Sequence, residues 1–255
     1  MKSKLILIFL ILSFNKSLYS REIGQTEITA ENGVEVFQDD KYYLIKQNVK
    51  IVSDDFSLNA DEVKIFFRDD LYDIKIINAF GNVILISETN LIKAEGDELL
   101  FYLDDEKLNI IGNNSIFSNE DIIIKSDGKI IIENSSGKFE ILGRNSSLKS
   151  KEIFIKGNLI NGKMNKLSNK NTIKEIYVND DNIAYIKNNE IEMFANIIKY
   201  DDQSSIIELE NNVKILSKSE TIIGDYGILD TKKNSYKVRS KDTNKVKVVI
   251  TNNNE

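Results

Sequence analysis

No cysteine, histidine, proline or tryptophan occurs anywhere in the 255 residues. Without histidine or cysteine, the side chains that most often carry acid–base chemistry, nucleophilic attack and transition-metal binding are gone, and a nucleophile–histidine mechanism is excluded. Without cysteine there are no disulfides, even in a compartment that would form them. A chain with 41% hydrophobic residues can nonetheless build a core, and its composition is not that of a disordered protein. Stability must come from a regular, well hydrogen-bonded architecture.

Basic excess is missing as well. The formal charge is -6, which speaks against nucleic acid or another polyanion as partner. The first twenty residues, MKSKLILIFLILSFNKSLYS, join Lys2 and Lys4 to an apolar run from Leu5 to Leu12 and a small Ser20. This is the pattern of a cleaved secretory signal peptide over residues 1–20. The apolar stretch ends at Asn15-Lys16, short of the roughly 20 residues that span a bilayer. Losing it removes Lys2, Lys4 and Lys16 and no acid, so the charge goes from -6 to -9. An uncleaved membrane anchor is the alternative.

What is present is β-patterned. Beyond Ser20, short runs of Ile, Val, Lys and Asn alternate between apolar and polar, separated by Asn, Asp and Gly, and no helical period appears. In Ile45 to Ile51, Ile45, Val49 and Ile51 fall on one side and Lys46, Asn48 and Lys50 on the other. The unit repeats. Asn48-Val49-Lys50-Ile51 recurs as Asn212-Val213-Lys214-Ile215, and marker asparagines at 48, 82, 114, 145, 182 and 212 recur at intervals of 30 to 37 residues. A small residue follows about twelve positions later: Ala60 before Asp61, Ala94 before Glu95, Ser126 before Asp127, Gly224 before Asp225. Periods of this length mean stacked supersecondary units, none able to bury its apolar face alone. Asn and Gly tolerate the positive φ of tight bends, and a small residue lets strands approach closely.

The expected fold is all-β: a twisted β-jellyroll, or solenoid-like stack of short antiparallel strands, with an apolar interior groove. Residues 21–157 form a first half, 158–173 an irregular polar joint, and 174–250 a second half continuous with the first. The inward side receives Ile45, Val49, Ile51, Phe56, Leu58, Ile65, Phe67, Val83, Leu85, Leu99, Phe101, Ile207, Leu209, Val213 and Ile215. Fully packed, this is an ordinary β core. Incompletely closed, it is an apolar trough for a ligand with hydrocarbon chains. The Asp-Asp pairs at 39–40, 54–55, 69–70, 104–105, 180–181 and 201–202 read as hairpin turns. No calcium loop with its ordered oxygens and Gly bend occurs. Adjacent carboxylates do not make the facing pair of a glycosidase, so no metal, cofactor or catalytic residue is expected.

These markers resemble the OstA-like domain of the lipopolysaccharide-transport (Lpt) bridge proteins. The residues that carry the likeness are Gly81-Asn82-Val83, Gln47-Asn48-Val49 and Asn211-Asn212-Val213 for one element. Ala60-Asp61-Glu62-Val63, Gly96-Asp97-Glu98-Leu99 and Gly224-Asp225-Tyr226-Gly227 carry the second. The likeness covers Ile28 to about Ile132 and Asn182 to about Leu229. It implies a non-catalytic periplasmic protein of a Gram-negative envelope that holds lipid A acyl chains in the groove, with the sugar-phosphate part outside. It also implies edge-strand pairing with an inner-membrane extractor subunit, an outer-membrane translocon, or further copies head to tail. An uncleaved leader would favour the anchored Lpt subunit. The competing readings are a structural surface β-solenoid with a packed core, and an envelope-polysaccharide enzyme with two facing acids.

Overall fold

The computed structural model describes residues 21–70, 73–167, 170–189, 191–241 and 244–251. The leader, residues 1–20, lies outside them. The alternation seen in the sequence becomes β1 (Glu27–Thr29), β2 (Val34–Phe37), β3 (Tyr42–Val52), β4 (Ser57–Phe67), β5 (Ile74–Ser87), β6 (Ile92–Tyr102) and β7 (Lys107–Ile111). There follow β8 (Ser115–Ser118), β9 (Ile123–Ser126), β10 (Lys129–Glu133), β11 (Lys138–Leu142), β12 (Ser147–Lys149) and β13 (Ile153–Lys156). The last are β14 (Leu159–Leu167), β15 (Lys170–Asn188), β16 (Ile191–Asp201), β17 (Ile206–Leu216), β18 (Glu220–Asp230), β19 (Ser235–Arg239) and β20 (Lys247–Ile250). All 20 strands belong to one hydrogen-bonded sheet, and every pairing is antiparallel.

That sheet is folded lengthwise into two leaves. In β3 the register breaks between Lys46 and Val49, so Gln47 and Asn48 together oppose the single Asp61 of β4. The same two-against-one bulge places Gly81-Asn82 against Asp97 and Asn211-Asn212 against Asp225. An extra residue on one strand bends it and sharpens its twist. Beyond the bulge the strand continues in the other leaf.

Leaf one carries β2, the first half of β3, the second half of β4, then β7, β10, β11, β14 and β19 among others. Leaf two carries β1, the second half of β3, the first half of β4, then β8, β9, β12, β13 and β20. In the middle of the array the long strands separate into short pairs, with the bend falling between β7 and β8 and between β11 and β12. Hydrophobic residues point between the leaves in one continuous cluster from Ile45 to Leu229.

Within residues 158–173, expected as an irregular joint, 159–167 and 170–173 are instead strand: β14 and the start of β15 pair there, with one register shift at Lys163/Met164. The polar sequence conceals a spaced inward set, Ile160, Met164 and Ile173, all buried. Gly162 completes it by making room for the Phe139 ring, which a Cβ there would strike.

Candidate functional site: the interior between the leaves and its spine

The bend line is a polar spine. At its first full corner Gln47 and Asn48 have φ of 65° and 49°, at the next Gly81 and Asn82 have 73° and 48°, and near the far end Asn211 and Asn212 have 63° and 54°. Two successive left-handed residues are costly for most side chains and cheap for Asn and Gly. Gly81 has a second reason: a Cβ there would lie 2.2 Å from the Asp61 carboxylate.

Carboxylates and amides interlock along the spine. Asn82 Nδ2 donates to Asp61 at 2.9 Å, and the Asn113 amide donates to Asp97 at 3.2 Å. Asn145 donates to Asp127 through both its backbone N–H and its side chain, at 3.1 and 2.8 Å. Asn158 does the same to Asp180, and Asn212 donates to Asn196 at 2.6 Å. Asp225 accepts from the Lys241 amide and the Asn244 side chain. The backbone amide of Asn145 is the main cause holding the Asp127 carboxyl below its ordinary range, and that of Lys241 does the same for Asp225.

The repeat markers therefore lie together. Asn48, Asp61, Gly81, Asn82, Asp97, Asn212 and Asp225 occupy the spine. Ala60, Gly96 and Gly224 sit beside it, opposite Val49, Val83 and Val213. Two details differ from the sequence reading. The partner of the Asn82 corner is Gly96-Asp97, not Ala94-Glu95 at the twelve-residue step, because the leaf-two segments of β5 and β6 are longer and Ala94 pairs with Leu85. Asp180-Asp181 is no hairpin turn; it belongs to the spine, with Asp180 buried. The pairs at 39–40, 69–70 and 104–105 do lie in or beside the turns at the outer tips of leaf one, and 201–202 begins one.

The lining residues named from the sequence all lie on or beside the interior. Ile45, Ile65, Phe67, Leu99, Phe101, Ile207 and Leu209 come from leaf one; Val49, Ile51, Phe56, Leu58, Val83, Leu85, Val213 and Ile215 come from leaf two. All are buried except Phe56 and Phe101, which are half-buried against the same core. The interior is thus filled by its own side chains. The middle of the array adds residues that no marker pointed to, among them Ile110, Ile124, Ile130, Ile141 and Ile155, each 0% exposed. Their strands are too short to show a period, but simple alternation in KIIIE and KFEIL would have found several.

Opposite the spine is a mouth between the free tips of the two leaves. Among the described residues no backbone hydrogen bond crosses it. Side chains do. The buried Tyr200 of leaf one donates to Asp202 on its own tip at 3.2 Å and reaches Glu152, on the β12–β13 tip of leaf two, at 3.5 Å. Tyr236 of leaf one donates to Glu220 at the tip of leaf two. Burial, followed by the neighbouring Asp202 and Glu152 charges, raises the Tyr200 pKa far above its usual value, so the hydroxyl stays a donor.

Among the described residues nothing caps the ends of the interior. Val34 and Val36 of β2 pair with the inward Ile45 and Tyr43, yet are 48% and 46% exposed. Val248 and Ile250 of β20 are 51% and 69% exposed at the other end. No group of His, Cys, Asp or Glu suited to a metal ion occurs among the described residues. No helix among them is long and apolar enough to cross a membrane.

A lengthwise-folded, open-ended β-jellyroll with a continuous apolar interior defines the class. Residues 27–138 match the family described as LptA/(LptD N-terminal domain) LPS transport protein. Over that stretch, 112 of the 255 residues, the chain is similar to that family. Comparison with curated proteins gives no match. Among solved structures, the crystal structure of LptH, the LptA homologous periplasmic component of the conserved lipopolysaccharide transport device from Pseudomonas aeruginosa, aligns at 8% identity. The alignment covers 89% of this chain and 96% of that one with a TM-score of 0.23, an overlay too loose to carry an argument.

Proposed function

We propose that this chain is a periplasmic lipopolysaccharide-transport component that holds lipid A acyl chains between its leaves. The open outer edges of its end strands would join an inner-membrane Lpt subunit, the outer-membrane translocon or further copies. The observation that carries this reading is the construction of the interior: an unbroken apolar lining, backbone-sealed along the spine and, among the described residues, held by side chains alone at the mouth and uncapped at both ends. Hydrocarbon can enter by displacing side-chain contacts without breaking the sheet. The family's described role in lipopolysaccharide transport supports the choice of lipid.

A packed structural β-solenoid is the second reading, favoured by the burial of the lining. One experiment separates the two. A photo-crosslinker at Ile51 or Phe101 should yield a lipopolysaccharide adduct in cells, and one at Lys46, on the outer face, should not. Adducts from Lys46 alone would overturn the groove. Depletion should leave lipopolysaccharide at the inner membrane.

A further inference from the structure

The two outer faces of the folded sheet differ in charge. On leaf one lysines and acids alternate, as in the shallow depression of about 720 Å³ where Lys163, Glu175, Lys199 and Glu208 surround Tyr177. On leaf two, from β9 to β20, the outward positions carry Lys125, Lys149, Lys156, Lys187, Lys214 and Lys247 against one acid, Glu192. This lies on a chain whose overall charge is -6. Lys187 pairs with Glu192 at 3.1 Å; the other five form no ion pair with a described residue.

Aromatic rings run through the middle of the same face. Phe154, Tyr185 and Phe194 lie on neighbouring strands, with centroids 6.1 and 5.2 Å apart, outside the core. Lys156 sits over Phe154 and Lys214 over Phe194, at 5.4 and 5.8 Å. Register places Lys125, Ser147, Lys156, Tyr185, Phe194, Lys214, Ile223 and Lys247 in a single row across eight strands. At roughly 4.8 Å per strand the row is about 34 Å across.

We propose that this outer face of leaf two docks on the surface of a bilayer containing anionic phospholipid. Charge complementarity selects an anionic partner, and the broad row of half-buried rings flanked by lysines selects an interface over a small soluble anion. Aromatic rings settle at headgroup depth, and lysine stems lie along apolar surface while their ammonium groups reach phosphate. Basic groups are attracted to such a surface only within about a Debye length, ~10 Å at 0.1 M salt. The acidic tips and spine lie along the borders of the leaf, so their repulsion orients the molecule with this face toward the lipid. The surface is separate from the interior proposed for acyl chains.

Cosedimentation of the full chain with vesicles of phosphatidylcholine, with and without phosphatidylglycerol, tests this; the leader, itself basic, is common to all variants, so the comparison of variants on the same vesicle carries the test. Several-fold more protein should partition onto the anionic vesicles, and added salt should remove the excess. Combining Lys125→Glu, Lys156→Glu and Lys214→Glu should reduce binding to the anionic vesicles several-fold relative to the parent chain. Lys46→Glu with Lys64→Glu, on leaf one, should leave it unchanged. The corresponding Lys→Gln triple variant gives the same reading if charge reversal impairs folding. Equal binding to both vesicles, or wild-type binding by the triple variant, overturns the proposal. Self-association abolished by the triple variant, with no vesicle binding by the parent chain, would assign the face to a second copy and equally overturn it. Because these vesicles hold no lipopolysaccharide, failure here leaves the interior reading standing.

Discussion

Gly81 meets two demands at once: a φ of 73° and a carboxylate where its Cβ would be. Gly81→Ala should therefore cost more than about 1 kcal/mol, seen in denaturant unfolding, whereas Gly33→Ala, with open space around it, costs only its φ strain. Asp127 and Asp225 give the spine a pH signature. Their folded-state carboxyls titrate below the ordinary range. Their contribution is thus fully present above the unfolded value near pH ~4 and is lost as pH falls through the folded value. Thermal melts between neutral and acid pH should show this loss, and Asp127→Asn with Asp225→Asn should flatten it. At this scale the sequence was informative: Asn, Gly and Asp at recurring positions announced bends, since few other residues accept two left-handed conformations in succession. That amides and carboxylates from different repeats would interlock into one ladder was not legible, because the pairing depends on how strands are stacked.

The strand is the scale at which alternation served best and spacing least. Period two assigned every named lining residue to the interior or its margin, since a register slip of one would turn a whole strand outward. A fixed twelve-residue step failed at Asn82, where longer leaf-two segments shift the corner to Asp97. Polar composition likewise hid β14, whose core contribution is a few well-spaced residues and a glycine under a ring. The tip contacts were invisible, as Tyr200 and Glu152 lie 48 residues apart. They lead to a direct expectation. Tyr200→Phe with Tyr236→Phe should cost about 1 kcal/mol per hydroxyl. It should also lengthen distances between spin labels placed on opposite tips of the second half, while those between tips near β4 and β5 stay as in the parent chain. An unchanged distance distribution would mean the tyrosines do not hold the mouth.

Across the whole molecule, each strand bonds mainly to strands close in sequence, as expected of a stack whose units share one core. The outer edges of β1 and β2 at one end and of β19 and β20 at the other pair with no described residue, and the apolar interior emerges beside them. Val36→Lys places a charge at one uncapped end without entering the packed middle, and inward-pointing charge is a known guard of sheet edges. End-to-end association, measured by sedimentation over a concentration series, should fall in this variant while its melting temperature stays close to that of the parent. The overall class was legible because a repeat with amphipathic strands has few ways to bury itself. The contrast between the two outer faces was not, since lysines scattered singly along the chain gather only when the halves of each long strand and the pairs of short strands are assigned to their leaves.

The lengthwise fold also sets how the protein answers to force. Strands run across the long axis and hydrogen bonds run along it, so tension applied from end to end loads the ladder one hairpin at a time and peels the terminal strands first. Prying the leaves apart loads no backbone bonds except at the spine, and its resistance is the apolar area exposed, about 25 cal/mol per Å². A molecule so built is compliant across its section and brittle at its tips. Extension in a force spectrometer should accordingly proceed as a series of small steps beginning at the terminal strands, and not as one large rupture.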